Sequence, residues 1–340
     1  MMMTVRPARA SDAEGLLHLE RHTTMDGGFR VGYEKKDFFA KTSLFEASRI
    51  SVIEEDGRII GTLSGGLKEA RIQGKKQLVC SLFDLRLRKG YGYRDKKGIY
   101  LLVKDFEGWI YGNDVSFVYG MVKADNRRAI RFVKGLGFHP LSTVRFTALP
   151  VFREQRLRND PFTEGYQEIA ERINSAKKGL ELFAERGLQP EPRIRLATAL
   201  ESGDSFACCR VWDPEKKIVI HRLSPPLSAL SLITKLAARG LSIPYFPGRG
   251  ERLKYWIVAD SLSSGAEGPA LFRRLLKRVN NLALRAGVSL LIVPLDQKDS
   301  LSGPLRGLLS PGFDYQLCGR FVKGETLPDL GPLDLDVRDY

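Results

Sequence analysis

The residues whose types and spacing could do chemistry lie between Leu78 and Phe138. A strand-like run, Leu78 to Leu87, leads to a basic turn, Tyr93-Arg94-Asp95-Lys96-Lys97-Gly98-Ile99, and then to a helix that begins near Leu101-Leu102. A second strand, Val115 to Val122, delivers Asn126-Arg127-Arg128-Ala129-Ile130, and the unit closes on Gly135-Leu136-Gly137-Phe138. The first N–H groups of a helix lack partners within it, and the helix dipole adds positive potential at that end. With Arg94, Lys96 and Lys97 around it and Gly98 permitting close backbone approach, such a terminus can hold a phosphate. The order strand, anion-binding turn, helix, strand, helix suits a cofactor with phosphates at one end; a solvated basic turn is the plainer reading of the same residues. Asn126 can cap the following helix, because its side-chain oxygen accepts from backbone N–H groups.

Other candidate chemistry finds less support. His18 and His22 share one helix face, but the H-E-x-x-H glutamate is missing and no third ligand is signalled, so no metal is expected. Cys80, Cys208, Cys209 and Cys318 form no C-x-x-C pair and read as reduced, buried thiols. The chain contains no G-x-x-x-x-G-K-[ST], no Rossmann G-x-G-x-x-G and no G-x-S-x-G elbow.

The elements that must position these residues fall into two halves. In the first, Ser11-Asp12 caps a helix with Leu16, Leu17 and Leu19 inward, a second helix is expected over Lys36–Phe45, and Asp56-Gly57 is a hairpin turn between strands Ser51–Glu55 and Arg58–Leu67. A last strand, Arg145 to Val151, ends this half. A helix pattern from Gln167 to Arg186 occupies the junction, and strands Ile194–Leu200, Phe206–Trp212, Ile218–Arg222, Tyr255–Ala259 and Val288–Pro294 follow, with helices between them. The second half thus repeats the element order of the first. The expected division is 1–151, a helical linker 152–191, a second domain 192–324 and a tail 325–340. The tail's Glu325, Asp329, Asp334, Asp336 and Asp339 read as a loosely ordered acidic end, with packing over a basic cleft as the alternative.

Composition narrows the partners. A chain of 340 residues with 43% hydrophobic and 28% charged residues has the balance of a globular protein. No apolar run reaches the ~18 residues of a membrane span. The first residues lack the apolar core of a signal peptide, so a cytoplasmic location is expected, with no membrane partner. The net charge of +14 favours anionic partners. Basic residues are dispersed, without an arginine-rich tail or an aromatic-interleaved stripe, which argues against nucleic acid.

The first half resembles the GNAT superfamily of acyl-CoA-dependent N-acyltransferases. The resemblance rests on Arg6-Pro7-Ala8 with Ser11-Asp12-Ala13, on the Asp56-Gly57-Arg58-Ile59-Ile60-Gly61 hairpin, and on Asn126-x-x-Ala129-Ile130 ending in Leu136-Gly137-Phe138. It covers roughly residues 4–150, and the whole chain is similar to tandem GNAT proteins. What it implies is an α+β fold of two tandem GNAT-like domains, each a mixed, mainly antiparallel central sheet flanked by helices. It also implies acetyl-CoA or coenzyme A as cosubstrate and an amine on a small molecule or protein as acceptor. Leu85, Leu87, Arg94, Lys96, Lys97, Gly98, Ile99 and Asn126 would meet the cofactor, with the Leu87 N–H stabilising the oxyanion and Asp84 as the candidate base. The turn fits the family's R-x-x-G-x-G only with one residue inserted. The tyrosine that protonates the leaving thiolate in many members falls at Val133, which leaves Tyr91, Tyr93 or Tyr119 as substitutes. A non-catalytic acyl-CoA-binding regulator and an aminoacyl-tRNA-dependent transferase of similar fold remain as alternatives. In the second half the corresponding turn, Gly265 to Gly268, carries Glu267 and no cation, so CoA is not expected there.

Overall fold

In the computed structural model the described residues are all except 1–2, 24–29, 89–95, 158–160, 190, 215, 224, 241–244, 302, 304–311 and 325–329. The first half holds β1 (Met3–Pro7), α1 (Ala13–His22), β2 (Arg30–Glu34), β3 (Ala47–Glu55), β4 (Arg58–Ile72), β5 (Lys75–Leu87), α2 (Lys96–Gly112), β6 (Phe117–Lys123), α3 (Arg127–Gly135) and β7 (His139–Pro150). The second holds β8 (Phe162–Glu164), α4 (Tyr166–Lys177), β9 (Ile194–Ser202), β10 (Ser205–Trp212), β11 (Lys217–Arg222), α5 (Pro225–Gly240), β12 (Arg252–Ser264), α6 (Gly268–Arg285), β13 (Leu290–Asp296) and β14 (Gly312–Phe321). β8 and α4, from the stretch read as a linker, pack on β9. The Asp56-Gly57 hairpin forms as its sequence demands: both residues take positive φ, 48° and 74°, the conformation a two-residue turn needs to match strand twist.

All strands join one 14-stranded sheet, whose main path runs β1-β3-β4-β5-β6-β14-β7-β13-β12-β10-β9-β8. Among the described strands only β5 with β6 and β12 with β13 pair in parallel; the other strand pairings are antiparallel. The last strand of each half lies in the other half's territory. β14 sits between β6 and β7, and β7 passes on to pair with β13. A mixed α+β sheet of two like halves is therefore the architecture, as the GNAT resemblance implies.

Each half packs a long helix on its sheet. Leu102, Phe106 and Ile110 of α2 meet Ile53, Leu63 and Val118; Leu271, Leu275 and Val279 of α6 meet Val211, Val258 and Val293. Gly65 and Gly66 in β4 permit two close approaches on opposite faces. A Cβ at Gly65 would lie 2.6 Å from Phe106, and one at Gly66 would lie 2.1 Å from Phe45.

Three expectations are corrected. Lys36–Phe45 is not an α-helix: only a 3-10 turn, Phe39–Leu44, forms. Asp37 accepts from the Phe39 N–H, while the Thr42 and Ser43 hydroxyls donate to the carbonyls of Phe39 and Ala40, side-chain bonds that compete with a regular helix. The helix expected to reach Arg186 ends at Lys177. Beyond it the chain exchanges backbone bonds with Arg71 on either side of Leu182, whose φ is 58°. The third correction concerns the acidic tail, of which 325–329 lie outside the described residues. The segment 330–340 is not loose. Asp334, Asp336 and Asp339 are buried, and Lys68 of β4, itself 1% exposed, bridges Asp336 at 3.1 Å and Asp339 at 2.9 Å. Asp339 also accepts from Ser81 and Tyr119, and Asp334 pairs with Lys177 and Arg186. Carboxylates read as solvated are thus the interior partners of buried cations.

Removing one member of a buried ion pair leaves its partners uncompensated, which costs ~3–5 kcal/mol. Lys68→Met should lower unfolding free energy by about that much in urea denaturation; a loss below ~0.5 kcal/mol, the range of an ordinary surface substitution, would return 330–340 to the loose state.

Candidate active site

One extra residue in β5 creates the site. Ser64 pairs with Phe83 and Thr62 with Arg86, so two positions on β4 span three on β5. Asp84 occupies this bulge with φ 50°. Beside it, β5 and β6 stay paired only from Val79–Phe117 to Leu82–Gly120. Past that point they part, and a cleft of about 1230 Å³ opens between them. The Arg88 N–H donates to the Ile60 carbonyl on β4 at 2.7 Å. Because backbone groups alternate along a strand, the Leu87 N–H faces the opposite, open side.

The cleft has three chemically distinct parts. Its inner wall is apolar, with Leu63, Val103, Phe106, Ile110, Val118 and Phe138. Its mouth is cationic: Arg88, Arg127, Arg128 and Arg131 line it and are exposed. Its floor is an ion cluster. Lys35 bridges Asp84 at 2.7 Å and Glu20 at 3.3 Å, and Arg86 bridges Glu20 at 3.0 Å and Asp84 at 3.4 Å. Lys35 follows β2, which pairs with β11 in the register Glu34–Lys217, so the second half's Lys216 arrives at the same place. Lys216 stands over the Tyr33 ring at 4.5 Å. Lys41 stands over Phe83 at 4.4 Å and donates to the Tyr340 carbonyl at 3.0 Å.

Protonation follows from this packing. Burial would raise the Asp84 carboxyl, but Lys35, Arg86 and Lys216 outweigh it and hold the group well below the usual carboxylate range. Such a carboxylate is a poor base near neutral pH. Lys216 is the opposite case. Burial, reinforced by Lys35, brings it down to about 7 despite the attraction of Asp84 and Glu20. Burial likewise lowers Lys41 to about 8. A neutral lysine amine can accept a proton at physiological pH.

The sequence-derived residues divide accordingly. Asp84, Leu85, Leu87, Ile99 and Asn126 all line the cleft. Asn126 also caps α3, accepting from the Ala129 N–H at 3.1 Å. Gly98 is buried in the first turn of α2, where an added Cβ would only touch Ile53 and Met3 at ordinary distances. Lys96 and Lys97 open α2, while Arg94, Tyr91 and Tyr93 lie outside the described residues. Tyr119 is not on the cleft wall. It is 1% exposed, donates to Asp339 at 2.5 Å, and is raised well above its ordinary value by burial and by Asp339. Val133 does line the cleft. His18 and His22 stack their rings at 4.1 Å, and His22 Nδ1 lies 2.8 Å from the His18 carbonyl oxygen. Sequence reasoning passed over Lys35, Lys41 and Lys216, which come from three separate elements. The arginines of α3 were visible as a basic helix face, R-R-x-x-R.

No family model and no curated protein matches the sequence. Solved structures match in fold. Saccharomyces cerevisiae N-myristoyltransferase, crystallised with bound myristoyl-CoA, aligns with 100% of this chain and 84% of its own, with a TM-score of 0.63 at 12% identity. A GCN5-related N-acetyltransferase from Anabaena variabilis aligns over 94% of this chain and 73% of its own, with a TM-score of 0.51 at 10% identity. The fold is that of the acyl-CoA N-acyltransferases. In its particulars it is a GNAT fold built as two GNAT-like domains in one sheet.

A lysine whose folded pKa is about 7 releases a proton that the unfolded chain keeps up to its ordinary ~10.4. Between these values the unfolded state binds more protons, so this group makes stability rise with pH; below about 7 both states are charged and the contribution is flat. Wild-type protein should therefore gain stability relative to Lys216→Met between pH 7 and 10, measured by urea unfolding across that window. A pH-independent difference would leave Lys216 an ordinary charged lysine.

Proposed function

We propose that this protein is an acyl-CoA-dependent N-acyltransferase, and that its acyl group is longer than acetyl. The observation that carries the reading is the parting of β5 and β6 at the Asp84 bulge, which sets an outward N–H beside an apolar recess. CoA phosphates would meet Arg88, Arg127, Arg128 and Arg131 at the mouth and the start of α2, where helix N–H groups add to the positive potential. The thioester would lie along the outer part of β5, with the acyl chain directed toward Phe106 and Ile110. A cleft beyond the ~300–1,000 Å³ of ordinary small-molecule sites has room for such a chain.

The acceptor amine attacks the thioester carbonyl carbon. The developing oxyanion accepts a hydrogen bond from the Leu87 N–H, the ammonium proton passes to the neutral Nζ of Lys216, and the C–S bond breaks to release the CoA thiolate. Asp84, fixed by Lys35 and Arg86, positions the floor instead of serving as the base. The thiolate is protonated by solvent, since Val133 supplies no acid. That same valine favours a second reading, an acyl-CoA-binding protein without turnover.

Two measurements test the proposal. Each buried CH₂ contributes ~0.8 kcal/mol, so kcat/KM in a thiol-release assay against a panel of amines should rise about fourfold per added methylene along a saturated acyl-CoA series. A preference for acetyl-CoA would overturn the longer chain, absence of binding to any acyl-CoA would overturn the whole reading, and tight binding with zero release would favour the second. Lys216→Met should lower kcat by ~10²–10⁴-fold and abolish the pH–rate limb near 7, with KM for acyl-CoA little changed.

A further inference from the structure

Helix α5 sets three large apolar side chains toward solvent. Leu232, Ile233 and Leu236 are 62, 63 and 56% exposed. On the protein side of the same helix Ser231 is buried, and Thr234 Oγ1 accepts from the Phe246 N–H at 3.0 Å. A helix at the surface of a globular protein ordinarily does the reverse. At 100° per residue, Leu232, Leu236 and Ile233 fall within one arc of about 100°, a continuous apolar stripe. Tyr245, 43% exposed, flanks it, with the Lys235 ammonium 5.5 Å from its ring centre. Arg239, in the last turn, is exposed too.

The surrounding chain gives the chemistry of what covers this stripe. From Lys216 to Gly250 the sequence contains no Asp or Glu, while Lys217, Arg222, Lys235, Arg239 and Arg249 are cationic; Lys235 pairs with Glu251 at 2.6 Å, and Arg239 is exposed. An apolar stripe with Lys and Arg at its margin and a tyrosine beside it matches an interface where hydrocarbon underlies negative charge. A second copy of this chain, at net charge +14, would bring like charge to the same face.

We propose that α5 is a membrane-surface anchor that takes an anionic lipid bilayer. Leu232, Ile233 and Leu236 enter the acyl boundary, and Lys235, Arg239 and Tyr245 lie at headgroup level. The helix is separated from β11, and so from the Lys216 wall of the cleft, by only residues 223–224, which puts the anchor and the cleft on neighbouring parts of the chain. The inference stands on exposure and charge, independently of the acyltransferase reading.

The test is flotation of the full chain with vesicles of phosphatidylcholine alone or mixed with phosphatidylglycerol. The protein should float with the mixed vesicles, bind phosphatidylcholine at least tenfold more weakly, and lose binding to the mixed vesicles as salt is raised. The triple variant L232S/I233S/L236S should lower partitioning at least tenfold while its thermal melting stays unchanged, as befits exposed positions. Failure of the wild type to float, or equal flotation by the triple variant, overturns the anchor. A concentration-dependent dimer in light scattering that the triple variant abolishes, without vesicle binding, assigns the stripe to a second copy instead and also overturns it.

Discussion

The site depends on one constraint: β5 carries a residue more than β4 can pair, and that residue is Asp84. The surplus turns the strand through a left-handed position and leaves a carboxylate beside the point where β5 and β6 part. A bulge leaves its strand locally unpaired and bent. Here Lys35 and Arg86 grip the carboxylate, and Glu20 from α1 supplies the remaining negative charge. Lys35 is one residue past β2, and β2 is the strand on which β11 pairs. The pairing of β2 with β11 therefore brings the two halves to a common wall, where Lys216 loses its charge at an accessible pH.

The second half contains the same backbone device with another outcome. In β12, Leu262 pairs with Cys208 and Ala259 with Arg210, again three positions against two, and Asp260 in the bulge has φ 52°. Its partners are guanidinium groups. Arg186 and Arg210 each reach Asp260 within 2.8 Å, and Asp334 joins Arg186 at 2.7 Å. All these side chains are at most 1% exposed. Planar guanidinium groups fill space and satisfy carboxylates at several points. The space beside them is about 100 Å³, lined by Arg186, Arg210 and Arg338 among others. The first bulge, held by Lys35 and Arg86, borders the large cleft; the second, held by Arg186 and Arg210, borders only this small space.

Much of this was legible in the sequence. The Asp56-Gly57 hairpin, the strand ending at Leu87, the cap at Asn126 and the repeated order of elements follow from local patterns, and a resemblance carried by short motifs pointed to the GNAT fold. What was not legible depends on distant residues. Asp336 and Asp339 look like part of a solvated run until Lys68, more than 260 positions earlier, lies against them, and Asp334 until Lys177 and Arg186 do. Asp84 reads as a candidate base from its strand position alone, and its cations are not readable beside it: Lys35 and Lys216 are far from it in sequence. The same holds for Tyr119, whose place on a strand beside the cleft was clear but whose hydroxyl is claimed by Asp339.

The exchange of final strands sets an order on folding. While the first half emerges during synthesis, β6 has β5 on one side and an open edge on the other, because its second neighbour, β14, is made nearly two hundred residues later. An open central edge invites pairing with other chains, and contacts across such sequence separation close slowly. The first half cannot finish its sheet alone. Its cleft, of which β6 is one wall, is completed only when the second half arrives.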